Sequence, residues 1–162
     1  MRRLRQVPME PAMSELTTVA INGIPVQNII FTVRGVQVML DRDLTGLYDI
    51  ETRALKQAVK RNPARFPADF MFQLTDEEID LMVSQNVIPS KMHLGGARPL
   101  AFTEQGVASL SSVLQSEAAV VINIQIMRAF VAMRRFISVN AQVFQRLDKV
   151  ERFPSPSAKA SV

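Results

Sequence analysis

Residues 41–74, DRDLTGLYDIETRALKQAVKRNPARFPADFMFQL, decide how this chain is read. They divide into two short helices with a tight turn between them, followed by a returning strand. The second helix, over 52–62, sends Ala54, Leu55, Ala58 and Val59 to one face. At the same helical spacing it sends Arg53, Lys56, Gln57, Lys60 and Arg61 to the other. A surface helix that serves only solubility mixes charge signs, because opposite charges three and four residues apart support each other. Here no acid occurs between Thr52 and Ala68, and Arg65 lengthens the positive run. The natural partner of such a face is an anion.

The spacing is that of a helix-turn-helix. With Asp41 opening the unit, Leu44, Tyr48, Ile50, Leu55 and Ala58 fall where two crossing helices need apolar contacts, small Thr45 sits near the crossing, and Asp49 takes the turn. Asp49 stands where glycine is favoured, and Gly46 inside the first helix is unfavourable by roughly 0.5 to 1 kcal/mol relative to Ala. In such a unit the start of the second helix enters the major groove of double-stranded DNA. Thr52, Arg53, Lys56 and Gln57 are then candidates for base edges, with Arg suited to guanine and Gln to adenine, and Lys60, Arg61 and Arg65 are candidates for phosphates.

A chain of 162 residues, 48% apolar and 21% charged, suits one globular domain with tails. The net charge of +4 and pI near 10.0 favour polyanions. Arg2, Arg3 and Arg5 contribute to that bias from a stretch with Pro8, Pro11 and no periodicity, read as disordered, and Met13 is an alternative start. Without cysteine there is no disulfide framework, thiolate metal site or cysteine nucleophile, which fits a reducing cytosol. Pro8, Glu10, Pro11 and Glu15 stand where a signal peptide needs a continuous apolar run. The apolar segment 118–137 is interrupted by Asn123, Gln125, Arg128, Arg134 and Arg135, so it is expected to pack in protein rather than cross a membrane. The expectation is a soluble, cytoplasmic protein.

Outside the central stretch, apolar β-branched runs at 29–33 and 36–40 flank Arg34-Gly35 and predict a hairpin with Arg34 at an exposed tip. Phe66 reads as a core plug, and Phe70, Phe72 and Leu74 share one face of a strand. Thr75 with Glu78 is a capping box that starts a helix over 76–85 and explains the acids Asp76, Glu77, Glu78 and Asp80. Residues 86–99 read as an irregular excursion with two short strands around Gly95-Gly96. Its Lys91, His93 and Arg98 are candidates for a second, wing-like DNA contact, against the alternative of an ordinary surface loop. A strand over 100–102 precedes a helix capped by Thr103 and a longer one capped by Ser116. That last helix is expected over 117–151. Ala119, Ile122, Ile126, Ala129, Met133, Phe136, Asn140, Val143, Leu147 and Val150 form a heptad seam, with its first half on the domain itself and its second half, through Asn140, Val143 and Leu147, in a homodimer.

Several of these segments also resemble a known family. The run RGVQVMLDRDLTGLYDIETRALKQAVKRNPARFPADFMFQLTDEE, then SQNVI, a GG turn and AFTEQGVASLSSVL, closely resembles the ORF-six amino-terminal domain, a KilA-N-related module of phage and prophage antirepressor-like proteins. The resemblance covers about residues 29–114 and continues more loosely through NIQIMRAFVAMR. It implies a small DNA-binding domain acting in transcriptional regulation of phage-derived genes, and it carries over no particular contact residue.

The expected architecture is α+β: a small β-hairpin and sheet, a helix-turn-helix-like unit and a long C-terminal helix. Residues 1–16 are expected to be disordered, 17–116 to form the DNA-binding domain, 117–151 the long helix and 152–162 a disordered tail. No glycine-rich phosphate loop or metal-ligand spacing appears, and Asp41 and Asp43 read as helix-start residues, so neither catalysis nor a metal or other cofactor is expected. The alternative to DNA binding is a protein-interaction module that binds a repressor or another partner.

Overall fold

Within the strand VQVML, Val38, Met39 and Leu40 are buried on both sides. In the computed structural model, which describes residues 19–114 and 116–141, β3 (Phe31–Val33) and β4 (Val36–Leu40) form the hairpin. They follow a small pair, β1 (Ala20–Ile21) and β2 (Ile24–Pro25). Arg34 and Gly35 both take positive φ, 54° and 78°, as a two-residue hairpin turn requires. β5 (Met71–Gln73) and β6 (Leu100–Phe102) complete an antiparallel sheet in the order β3-β4-β6-β5, with Met39 opposite Phe102 and Phe72 opposite Ala101.

Alternation along the strands separates two cores. Val38, Leu40 and Ala101 face one way and pack with Val33, Leu74, Ile79, Met82 and Ile88. The helix α3 (Asp76–Ser84) closes that side. Met39 and Phe102 face the other way. There they meet α1 (Asp41–Tyr48), α2 (Thr52–Arg61), α4 (Glu104–Leu114) and α5 (Glu117–Val139) through Leu44, Leu55, Val59, Val107, Leu110, Ile126 and Phe130. Phe66 plugs this core edge-on to Phe102, ring centroids 6.1 Å apart. The fold is α+β, as the sequence predicts.

The helix starts follow their caps. Thr75 Oγ1 accepts from the Glu78 N–H at 3.2 Å, and Glu78 Oε1 accepts from the Thr75 N–H at 2.8 Å, closing the capping box. Thr103 accepts from Gly106 N–H, and Ser116 from Ala119 N–H. Two expectations are corrected, and a third is met only as far as the described residues reach. Residues 86–99 hold no strand; they form a 3-10 turn, Met92–Leu94, closed by Gly95 and Gly96 at positive φ. Ala54 is exposed, because it lies at the rim of the α2 contact rather than beneath it. The helix expected over 117–151 has its described part end at Val139, where Asn140 caps it and its side-chain amide donates to the Phe136 carbonyl at 2.8 Å. One N–H of the Asn140 amide is thus engaged by its own helix, while Val143, Leu147 and Val150 lie outside the described residues.

Candidate nucleic-acid interface

The basic face depends on how α1 and α2 join. Asp49 takes the left-handed conformation, φ 57° and ψ 51°, and the N–H groups of Asp49 and Ile50 donate to the Thr45 carbonyl. A short Asp tolerates this region better than most residues, which is how the turn forms without glycine. Leu44, Thr45, Tyr48, Leu55 and Val59 are buried at the crossing, and Ile50 and Ala58 are partly so. Tyr48 reaches α5, where its hydroxyl donates to Asn123 Oδ1 at 3.4 Å, and burial holds its pKa well above the usual phenol value.

With Leu55 and Val59 fixed inward, helical spacing turns Thr52, Arg53, Gln57, Lys60 and Arg61 outward, and all are exposed. Thr52, Arg53, Lys56, Gln57 and Lys60 line one shallow concavity. Lys60 and Arg61 form no ion pair with a described residue. Arg53 lies 3.6 Å from Glu51, a pair so exposed that it constrains little. Arg65, on the turn Pro63–Arg65, donates to Ser112 Oγ at 3.1 Å.

Lys56 differs from its neighbours. It is 31% exposed, and its ammonium lies 3.9 Å from Asp41 Oδ2. Asp41 is itself buried; desolvation raises its pKa, opposed by a backbone hydrogen bond from Leu100 and by the Lys56 charge. The sequence reading placed Asp41 only as a helix-start acid. The missed signal is its position directly after a strand buried on both faces, which pulls the first residue of α1 inside with it.

The proposed second contact is altered. Lys91 pairs with Asp80 at 2.9 Å, and Arg98 pairs with Asp76 at 3.1 Å and donates to the Leu74 carbonyl. Both cations are drawn to the acids of α3, so the loop is far less cationic than its composition suggests. It is nevertheless adjacent to the basic helix: Asp41, Thr52, Lys56, His93 and Arg98 line a common hollow. Beside His93 stands Met92, 87% exposed, which the sequence reading passed over.

A family model for the ORF6N domain matches residues 28–113, more than half of the chain. The chain belongs to the ORF6N family. ORF6N is a regulatory domain of phage-type, antirepressor-like proteins. No curated protein and no solved structure matches the chain. The ORF6N match takes in β3 through α4 and leaves α5 beyond it, although Ile122, Ile126, Ala129 and Phe130 of α5 are buried in the same core. Among the described residues of this ORF6N protein no helix is long and apolar enough to cross a membrane.

Proposed function

We propose that this protein binds double-stranded DNA in a sequence-dependent way and regulates transcription of phage-derived genes. In this reading α1 and α2 act as a helix-turn-helix, with Thr52, Arg53, Lys56 and Gln57 toward base edges and Lys60, Arg61 and Arg65 toward phosphates. The observation that carries it is the outer face of α2: a helix anchored by two buried residues presents an acid-free row of exposed basic and amide side chains over one concavity. Membership of a phage-type regulatory family supports it.

Fluorescence anisotropy with labelled duplexes across a salt series tests the reading. Each neutralised phosphate contributes roughly 0.9 to the slope of log affinity against log salt, so three or four cations per subunit give a dimer a slope on the order of 5 to 7. The cleanest variant is Lys60→Ala with Arg61→Ala, because neither side chain holds the fold together; it should weaken all sequences alike. Arg53→Ala or Gln57→Ala should instead relax sequence preference. Lys56→Ala is less clean, since it also leaves buried Asp41 without its cation. A folded chain that binds no duplex at low salt would transfer the function to recognition of a repressor or another protein.

A further inference from the structure

Helix α5 carries two rows of residues at alternating spacings of three and four. Ala119, Ile122, Ile126, Ala129 and Met133 are buried in the domain's own core. About half a circumference away, Glu117, Val121, Ile124, Arg128, Val131 and Arg135 follow the same kind of spacing, and every one of them is exposed. Val121 is 58% exposed, Ile124 48% and Val131 40%, with exposed Val120 on the shoulder. These β-branched side chains stand along one stripe of the helix and face water.

We infer that this outer row of α5 packs against α5 of a second copy of the chain, the two helices running antiparallel. The charges favour that occupant. The only acid on α5 is Glu117 at its start, whereas Arg128 and Arg135 stand in the outer row toward its other end; Arg134 is already paired with Glu104 at 2.6 Å. A two-fold axis at residue 126 sets Glu117 opposite Arg135, Val121 opposite Val131, and Ile124 against the stem of Arg128. A parallel pair would set Arg128 on Arg128 and Arg135 on Arg135. The row spans about 27 Å of helix, long enough for a continuous seam. The chain's own residues before Val19 are a poorer fit, because Val19 lies beside Met127, Arg128, Val131, Ala132 and Arg135 and leaves the most exposed positions, Val121 and Ile124, at the far end. The homodimer seam thus lies on the outer row of α5 from Glu117 to Arg135, on the opposite side from the row that includes Asn140. The inference stands whether or not the chain binds DNA.

The absence of cysteine makes the test direct. A mixture of full-length Val121→Cys and Val131→Cys chains, treated with a short bismaleimide, should give a covalent dimer, whereas Val121→Cys alone should not, its two thiols lying about 15 Å apart along the helix. Ile124→Lys, which sets a like charge against Arg128 of the second copy, should weaken self-association in sedimentation equilibrium by about tenfold or more while leaving the circular dichroism spectrum unchanged. Cross-linking of Val121→Cys to itself would overturn the antiparallel seam. A chain that is monomeric at every concentration, or a dimer untouched by Ile124→Lys, would overturn the interface and assign this face to residues before Val19 or to a different protein.

Discussion

Gly46 and Gly106 are both helical glycines in opposite surroundings. A methyl group on Gly46 meets nothing within 4 Å, so Gly46→Ala should stabilise the fold by about 0.5 to 1 kcal/mol through backbone entropy alone. A methyl group on Gly106 would overlap the Phe70 carbonyl, which also accepts from the Thr103 N–H at 3.0 Å. Gly106→Ala must therefore separate α4 from the chain entering β5, at a cost of about 3 kcal/mol. Urea denaturation of the two variants checks both signs. Asp43 gives a residue-level pH effect. Burial pushes its carboxyl up to about 6, and Oδ2 has no hydrogen-bond partner among the described residues. The unfolded value is about 3.9, so the folded state holds the proton more tightly, and the contribution of this group to stability falls as pH rises from about 4 to about 6. Asp43→Asn should raise the melting temperature at pH 7 and flatten its change between pH 6 and pH 4. The gain should be on the order of 1 kcal/mol, discounted for the solvent and helix dipole that already support the charge.

At the scale of elements, the β3–β4 hairpin is tied to α3 through one acid. Arg34 reaches Glu78 by hydrogen bonds of 2.7 and 3.0 Å, donates to the Gln73 carbonyl and lies 4.1 Å over the Phe72 ring. Glu78 simultaneously completes the Thr75 capping box, and the Arg34 hydrogen bond chiefly holds its carboxyl below the usual range. Thr75→Ala should cost about 1 kcal/mol, as loss of a cap does. Glu78→Ala should lower the melting temperature more than Arg34→Ala, because it removes the cap and the tether together. The stabilisation carried by a lowered carboxylate is present above its unfolded pKa and is lost as pH falls through the folded value, opposite in sign to Asp43. Hairpin and capping box were both legible, since each is written within a few adjacent residues. The tether between them was not, because the partners are far apart in sequence and Arg34 read simply as an exposed tip.

At the scale of the whole molecule, the cations sort into two classes that composition cannot separate. Arg53, Lys60 and Arg61 of α2 face outward, whereas Lys56 is paired with Asp41, and Lys91 and Arg98 are matched to the acids of α3. Salt-dependent DNA binding should accordingly be sensitive to Lys60 and Arg61 and nearly indifferent to Lys91→Ala. If the outer seam of α5 joins two copies, the Ile124→Lys monomer should show about half the salt slope of the intact chain. What the sequence determined by itself was what short-range pattern sets: the α+β class, the hairpin, the α1–α2 unit, the caps and, Ala54 apart, the apolar side of α2. These depend on periodicity and local backbone preference, which nearby residues express completely. The tertiary structure alone decided which charged groups neutralise one another, that Asp41 is carried inside beneath Lys56, and that the outer row of α5 is left exposed at Val121, Ile124 and Val131. Those outcomes follow from where distant segments meet: an apolar row is core only if another element lies over it, and a cation is available to a partner only if no acid has been folded against it.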